Sequence, residues 1–320
     1  MNSLKFLCNL RRLGLLLMVP SLLVSCDMLH DDDNDCQSYL KFRYDYNMLS
    51  ADAFSNQVNR VEVFFFDRNG VYVDSKSESG EALKKPEYRM ELPFNFKGHS
   101  AITWAGAHDS YEISNLIPGK STKEDLMLKM KRKTDLVHNT PLETLWHGQE
   151  KEITGGTDVV SLVRNTNNVR IILKCVSEEE VPESAENFVF KIMADNGFYA
   201  NNDTLLKDDV ISYEPHYLRG DSQEGVVAEI NTMRFMEDRN VRLSIYNKAK
   251  ETYLFGGAES INLIYYLLKT KMEEYSTMPS QEFLDRQYDW NLTFFYTGDS
   301  FVALKVVIND WTFWMNDVDM

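Results

Sequence analysis

The 320-residue chain is predicted to be all-β, two β-sandwich domains with one short helix in the second. Three observations lead there. Short stretches with apolar residues at every second position recur along the chain, the pattern of half-buried strands rather than helices. Helical spacing is confined to a single segment near residue 265. Roughly 295 residues remain after an N-terminal leader, enough for two domains of ordinary size, and 43% hydrophobic content excludes disorder for most of them.

The leader comes first. Lys5, Arg11 and Arg12 form a positive region, and Leu13 to Val24 an apolar run too short for a span of about 20 residues. Leu23-Val24-Ser25-Cys26 then reads as a lipobox: the thiol of Cys26 accepts a diacylglyceryl group, residues 1–25 are cut away, and the freed amine takes a further acyl chain. Two or three chains supply the multiple anchors that stable membrane attachment needs. An ordinary cleaved signal peptide with an accidental cysteine is the alternative. Residues 26–37 read as an acidic tether containing Asp27 and the run Asp31-Asp32-Asp33-Asn34-Asp35. In this stretch the chain resembles Bacteroidales lipoproteins, and that resemblance implies export to the outer face of the outer membrane.

The formal charge is -15, and the leader removes three basic residues and no acid, so the body is more acidic still. Such a surface repels nucleic acid and anionic headgroups. Cys8 leaves with the leader and Cys26 is lipidated, leaving Cys36 and Cys175. An exported protein permits a disulfide between them, and two separate thiols are equally consistent with the sequence.

The first domain is expected over residues 38–160. Leu40, Phe42, Tyr44 and Tyr46 alternate with polar residues, a strand with one apolar face. Val61 to Phe66 is a more fully apolar run and leads through Asp67-Arg68-Asn69-Gly70 into Val71-Tyr72-Val73, a hairpin in which Asn69 and Gly70 take positive φ in a tight two-residue turn. Tyr88-Met90-Leu92, Ile102-Trp104 and Leu126-Leu128-Met130 follow as strands. Between them, Ser121 with Glu124 reads as a helix capping box, or Pro118-Gly119 as a turn. Gly155-Gly156-Thr157 suggests a seam there or just beyond it, with Val159 to Val163 closing the first sandwich.

The second domain is expected over residues 161–320. Its strands are Val169 to Cys175, Phe188 to Ile192, Val241 to Ile245, Leu292 to Tyr296 and Val302 to Ile308. Ile261, Ile264, Tyr265, Leu268 and Met272 recur at spacings of three and four, so one helix is expected over 261–275. Trp311 to Met320 reads as an edge strand of its own sandwich, the alternative being a donor segment for another subunit, which would favour cleaner apolar alternation.

No pattern here carries catalysis. The six histidines lack metal-site spacing, Gly119-Lys120-Ser121 lacks the upstream glycine of a phosphate loop, and Asp67 with Asn69 lacks the rest of a calcium loop. No cofactor is expected. His99 and His108 flank Trp104, so a pocket there and a plain packing role are both open. Tyr44, Tyr46, Trp104, Trp146, Trp290, Trp311 and Trp314 read mainly as packing residues, with a glycan platform as the alternative.

Taken in order, the lipobox, Tyr44-Asp45-Tyr46-Asn47-Met48, Phe54, Gln57-Val58, Phe66-Asp67, Thr103-Trp104-Ala105-Gly106, Trp146-His147-Gly148, Leu162 to Arg170, Gln281 to Arg286 and Ile308-Asn309-Asp310-Trp311 form a series. By this series the chain resembles the anchor subunits of Bacteroidales fimbriae, the minor-fimbrium anchor family, departing from it at Phe283 where tyrosine is expected. The resemblance implies a pair of transthyretin-like sandwiches without enzyme activity, lipid-tethered in the outer membrane at the base of a type V pilus. It further implies joining to a fimbrial shaft subunit by β-strand exchange, and a role in limiting shaft length. The runner-up reading is a surface glycan-binding or adhesive lipoprotein.

Overall fold

The structure is a computed structural model that describes residues 37–93, 96–176, 184–221, 224–271 and 273–315. Cys26, Cys36, the leader and the acidic run lie outside the described residues. In the first half the strands are β1 (Tyr39–Arg43), β2 (Arg60–Phe66), β3 (Tyr72–Ser79), β4 (Met90–Glu91), β5 (Ser100–Ala105), β6 (Tyr111–Ile113), β7 (Leu128–Met130), β8 (Val137–His138), β9 (Trp146–Glu152) and β10 (Thr157–Arg164). A single helical turn, α1 (Phe54–Gln57), lies between β1 and β2. The second half has β11 (Thr166–Cys175), β12 (Phe188–Ala194), β13 (Phe198–Tyr199), β14 (Ile211–Tyr213), β15 (Tyr217–Asp221), β16 (Gly225–Met233), β17 (Arg242–Asn247), β18 (Thr252–Tyr253) and β19 (Ile261–Asn262). Helices α2 (Leu263–Lys269) and α3 (Ser280–Arg286) follow, then β20 (Asp289–Thr297), β21 (Val302–Ile308) and β22 (Trp311–Trp314).

The first half is built on a seven-stranded sheet ordered β3-β2-β5-β9-β10-β1-β4. One face buries Leu40, Phe42, Val61, Val63, Phe65, Val160 and Leu162 beneath Phe54 and Val58 of the α1 segment. The other face presents Phe64, Phe66, Ile102 and Trp104 to Leu126, Leu128, Met130 and Tyr199. Burial on both faces explains why Val63 to Phe66 is apolar without alternation. In the second half two six-stranded sheets, β15-β16-β11-β20-β21-β22 and β18-β17-β12-β14-β8 with β19 also paired to β17, share one core. Phe255 meets Phe294 with ring centroids 5.7 Å apart, and Phe188 meets Phe301 at 5.6 Å. The protein is thus all-β with sandwich packing, as the period-two segments predict.

The halves are threaded into each other. Asn165 is the one residue between β10 of the seven-stranded sheet and β11 of the second half. β13 pairs with β7 in a three-stranded sheet on the first half, while β8 of the first half extends the second half's sheet beside β14. Gly155 and Gly156, where a seam is expected, form the bend of the β9–β10 hairpin, and the sheets change at Asn165.

Three local expectations are corrected. The β2–β3 turn spans three residues, not two: Gly70 has φ of 75°, Asn69 is not left-handed, and the register slips between Phe65 and Phe66. This is the type I turn with a glycine bulge, fixed by the Asp67 carboxylate accepting the N–H groups of Asn69 (2.8 Å) and Val71 (2.9 Å). The capping pair is Thr122 and Asp125, one residue past the predicted pair, with Asp125 accepting the Thr122 N–H at 2.8 Å; Gly119 sits in a turn just before it. The single helix expected over 261–275 is shorter. It starts late because Asn262 caps α2, accepting the Tyr265 N–H at 3.2 Å, and it ends at Thr270, whose hydroxyl donates to the Leu267 carbonyl. α3 is a second helix in that half, beginning directly after Pro279.

Candidate functional site

The residues that join the halves form a buried charged cluster. Arg234 follows β16, Asp203 lies in the turn after β13, and Asp285 is on α3. The Arg234 guanidinium donates to both Asp285 oxygens, at 2.7 and 2.6 Å, and also meets Asp203. Its backbone N–H donates to the Asn165 carbonyl at 2.8 Å, and the Asn165 side-chain amide donates to Asp203. Burial alone disfavours the Arg234 charge, but Asp203 and Asp285 outweigh it and hold the pKa above the usual arginine value. Arg132 of the first half makes a second buried pair with Asp208 of the second, donating at 2.9 and 2.6 Å. Arg286 stacks 4.2 Å over Tyr46 and donates to the Asn47 carbonyl, and Arg164 lies 3.8 Å over Tyr288.

Above this cluster the halves leave a cleft of about 790 Å³, lined by Arg43, Asp45, Tyr46, Gln149, Asn202 and Arg239 among others. Its lining mixes polar side chains with Val159, Leu162 and Met236, and two of its cations are paired in place, Arg43 with Asp45 at 3.1 Å and Arg239 with Asp195 at 3.2 Å. His147 forms part of the floor and is fully buried, its ring 4.6 Å from Trp104 and its Nε2–H donating to the Asn201 carbonyl at 2.8 Å. Burial lowers the His147 pKa, with Asp203 and the Asn201 carbonyl opposing in part. Among the described residues no group of three or more His, Cys, Asp or Glu is placed to hold a metal ion.

The sequence-predicted residues fall as follows. Tyr44, Trp104, Trp146 and Trp290 are buried in the cores, Tyr46 is half-buried beneath Arg286, and Trp311 and Trp314 are exposed at 41% and 67%. Four of the seven aromatics are therefore packing residues. His99 and His108 lie beyond opposite ends of β5 and do not meet around Trp104; His99 packs on Phe96, and His108 meets the side-chain amide oxygen of Asn59 at 2.9 Å. The histidine on Trp104 is His147, across the β5–β9 pairing, and only the register Trp104 with His147 reveals it. Cys175 ends β11 and is half-buried. Trp311 to Trp314 is an edge strand of its own sheet, as the uneven alternation predicts.

Two comparisons bear on this arrangement. The family model for Fimbrillin-A associated anchor proteins Mfa1 and Mfa2 matches residues 32–317. The chain is 25% identical over 205 residues to the minor fimbrium anchoring subunit Mfa2 of Porphyromonas gingivalis, covering 60% of this chain and 61% of that protein. Among solved structures, a Bacteroides thetaiotaomicron protein provisionally called polysaccharide-binding is 36% identical, with a TM-score of 0.81 over 89% of this chain and all of that one. A second B. thetaiotaomicron protein, provisionally called an adhesin, is 29% identical with a TM-score of 0.75 over 88% of this chain and 99% of that one. The P. gingivalis anchor Mfa2 shares the fold, with a TM-score of 0.69 at 18% identity over 88% of this chain and 99% of that one.

Removing one partner of the buried cluster strands the others, so Asp285→Ala should lower unfolding free energy by about 3–5 kcal/mol in denaturant titration. A loss below about 1 kcal/mol would show that the cluster does not hold the seam. His147 gives a pH dependence. Its folded pKa is depressed, so below the unfolded value of about 6.5 the unfolded chain binds a proton that the folded chain does not. Stability therefore falls as pH drops below about 6.5, by up to about 1.4 kcal/mol per pH unit from this group. Melting curves of His147→Gln between pH 7.5 and 5.5 should show a shallower decline than wild type; parallel declines would remove the assignment.

Proposed function

The chain belongs to the family of Fimbrillin-A associated anchor proteins, a family of structural fimbrial components, and from that premise we propose that it is the lipid-tethered anchor subunit of a fimbria. In this reading acyl chains on Cys26 fix it in the outer membrane, facing the cell surface, and a fimbrial shaft subunit joins it by β-strand exchange. Occupying the base then limits shaft length. The fold divides at Asn165 into a membrane-side unit and a shaft-side unit. Cys36 and Cys175 are left as a disulfide candidate that mass mapping under non-reducing conditions decides.

The direction of β1 carries the reading. Cys26 lies thirteen residues before Tyr39, a tether that reaches at most about 45 Å when extended. β1 runs parallel to β10 over five residue pairs, Tyr39 with Thr157 to Arg43 with Ser161, and β10 leaves through Asn165 into the second half. Tension between membrane and shaft pulls β1 toward its N-terminus and β10 toward its C-terminus. Because the strands are parallel, these pulls oppose along the strand axis, and the pair is loaded in shear with its hydrogen bonds sharing the load. An antiparallel pair loaded through the same ends would unzip one bond at a time. The buried clusters of Arg234 and Arg132 then pass the load across the seam.

A second reading, surface glycan binding, is favoured by the cleft and by the 36% identical relative provisionally called polysaccharide-binding. A glycan array probed with the acyl-free protein separates the two, since an anchor alone retains no sugar.

Cys26→Ala should fold normally, leave the membrane fraction, and shed shafts into the medium. Retention of the variant protein in membranes would sink the lipid assignment, and cell-bound fimbriae of unchanged length would sink the anchor role. The shear geometry has its own test. Tyr39 N–H donates to the Gly156 carbonyl at 2.6 Å, so two residues on the Lys41 N–H also faces β10. Lys41→Pro should lower the rupture force in single-molecule pulling through residue 37 and the second half, where force-driven unfolding follows the unfolding rate. An unchanged force would mean that the load bypasses β1.

A further inference from the structure

Sheet edges differ in how they are protected. Unpaired strand edges invite pairing with other chains, and proteins blunt them with charge, shortness or cover. β3 carries Asp74, Lys76 and Glu78 along its length. β4, β8, β13 and β18 are two residues each, β6 has three with Glu112 among them, and β15 contains Arg219, whose guanidinium meets Glu224. Among the described residues β22 has none of these devices: Trp311-Thr312-Phe313-Trp314 is uncharged, aromatic at three of four positions, and lies at the end of its sheet.

The hairpin before it fixes which groups face outward. Asn309 and Asp310 both take positive φ, 42° and 77°, the two-residue turn that makes Ile308 and Trp311 a hydrogen-bonded pair. Alternation along the antiparallel ladder then makes Val306 and Phe313 the next bonded pair. The Met315 N–H, donating to the Leu304 carbonyl at 2.9 Å, keeps the same phase. The N–H and C=O groups of Thr312 and Trp314 consequently point away from β21 toward the open edge. Phe313 packs against the core and Met315 is buried, so the strand is held firmly on its inner side. On its outer side Trp314 stands 67% exposed beside Leu304 at 38%, with Lys305 between Trp314 (5.8 Å) and Phe295 (4.3 Å).

We propose that the open edge of β22 is the shaft-docking site, where an extended segment of the shaft subunit adds as the next strand beyond Thr312 and Trp314. The inference rests on the anchor reading and adds the place. Outward backbone donors and acceptors at alternate residues select an extended strand over a helix, because only a strand presents a matching ladder. Trp314 and Leu304 select an apolar side chain on the outer face of that strand, and Lys305 favours a carboxylate near it, since it is a cation on an otherwise acidic protein. β22 belongs to the shaft-side half, in the sheet that begins with β11, so a load entering there travels through β21, β20 and β11 to Asn165 and the membrane-side sheet.

The test uses cells producing the full chain. Thr312→Pro removes an outward N–H, and Trp314→Glu places a charge on the apolar outer face at a side chain that the fold leaves exposed. Each should keep the protein in the membrane fraction with its melting temperature unchanged, while shaft protein in the medium rises about tenfold or more. Cys26→Ala is run alongside. Release by Cys26→Ala with full retention by the folded edge variants overturns the β22 site and leaves the anchor reading standing; retention in all three overturns both. Trp314→Ser replaces Trp314→Glu should the charged variant fail to fold. Sedimentation of the acyl-free protein decides against a second copy of this chain: a dimer that Trp314→Glu dissociates, with fimbriae still cell-bound, reassigns the edge to self-association. Loss of a glycan-array signal in Trp314→Ser with fimbriae retained reassigns it to sugar.

Discussion

A single arginine carries the organisation of this protein. β10 of one sheet system passes into β11 of the other through Asn165 alone, and a one-residue crossing cannot set the relative placement of two sheets by itself. Arg234 fixes the second-half side of that crossing, by binding the Asn165 carbonyl with its backbone and Asp203 and Asp285 with its side chain. A buried guanidinium is tolerable only where carboxylates meet its planar donors, so all three segments must arrive together. Such a cluster adds little net stability over an apolar substitute, but it penalises any arrangement of these three segments that leaves one charge unpaired.

The interleaving of β13 and β8 follows from the same seam. Each half lends a short strand to the other, and the apolar core runs on from Trp104 and Tyr199 into the second sandwich without a polar break. Two bodies joined by a flexible linker would rotate under tension. Here the seam has a charged cluster beside it, a buried ion pair between Arg132 and Asp208, and shared strands, which together resist such rotation. The cleft over the cluster is what remains where the sheets diverge.

Much of the fold was legible because burial on one face imposes period two. β1, β5, β11, β12, β17, β20 and β21 were all readable from alternating residues, and the β22 edge from its uneven pattern. β16 was not, although it pairs on both sides, with β15 and β11, because Val226, Val227 and Ala228 open it without alternation. β9 was missed because Gln149 to Glu152 are polar, its pairing being set by β5 beside it. α3 was visible only as part of the resemblance to fimbrial anchors. Seven residues are too few for helical periodicity to stand out, and its buried face is fixed by Asp285 meeting Arg234. The sequence pointed to His99 and His108 beside Trp104, while the fold placed His147 there through cross-strand register, which no spacing along the chain records.

By itself the sequence determined the class of the protein, because alternating apolar residues can be satisfied only by sheets. The ordered landmarks likewise supplied the family. Only the tertiary structure decided how the two halves engage, which aromatics are core, and which strand is left open. Those outcomes depend on contacts between residues far apart in the chain. Arg234 and Asp285 are separated by 51 positions, and β1 meets β10 across more than a hundred. Local propensity is silent about such pairs, because their energy exists only once the sheets between them have formed.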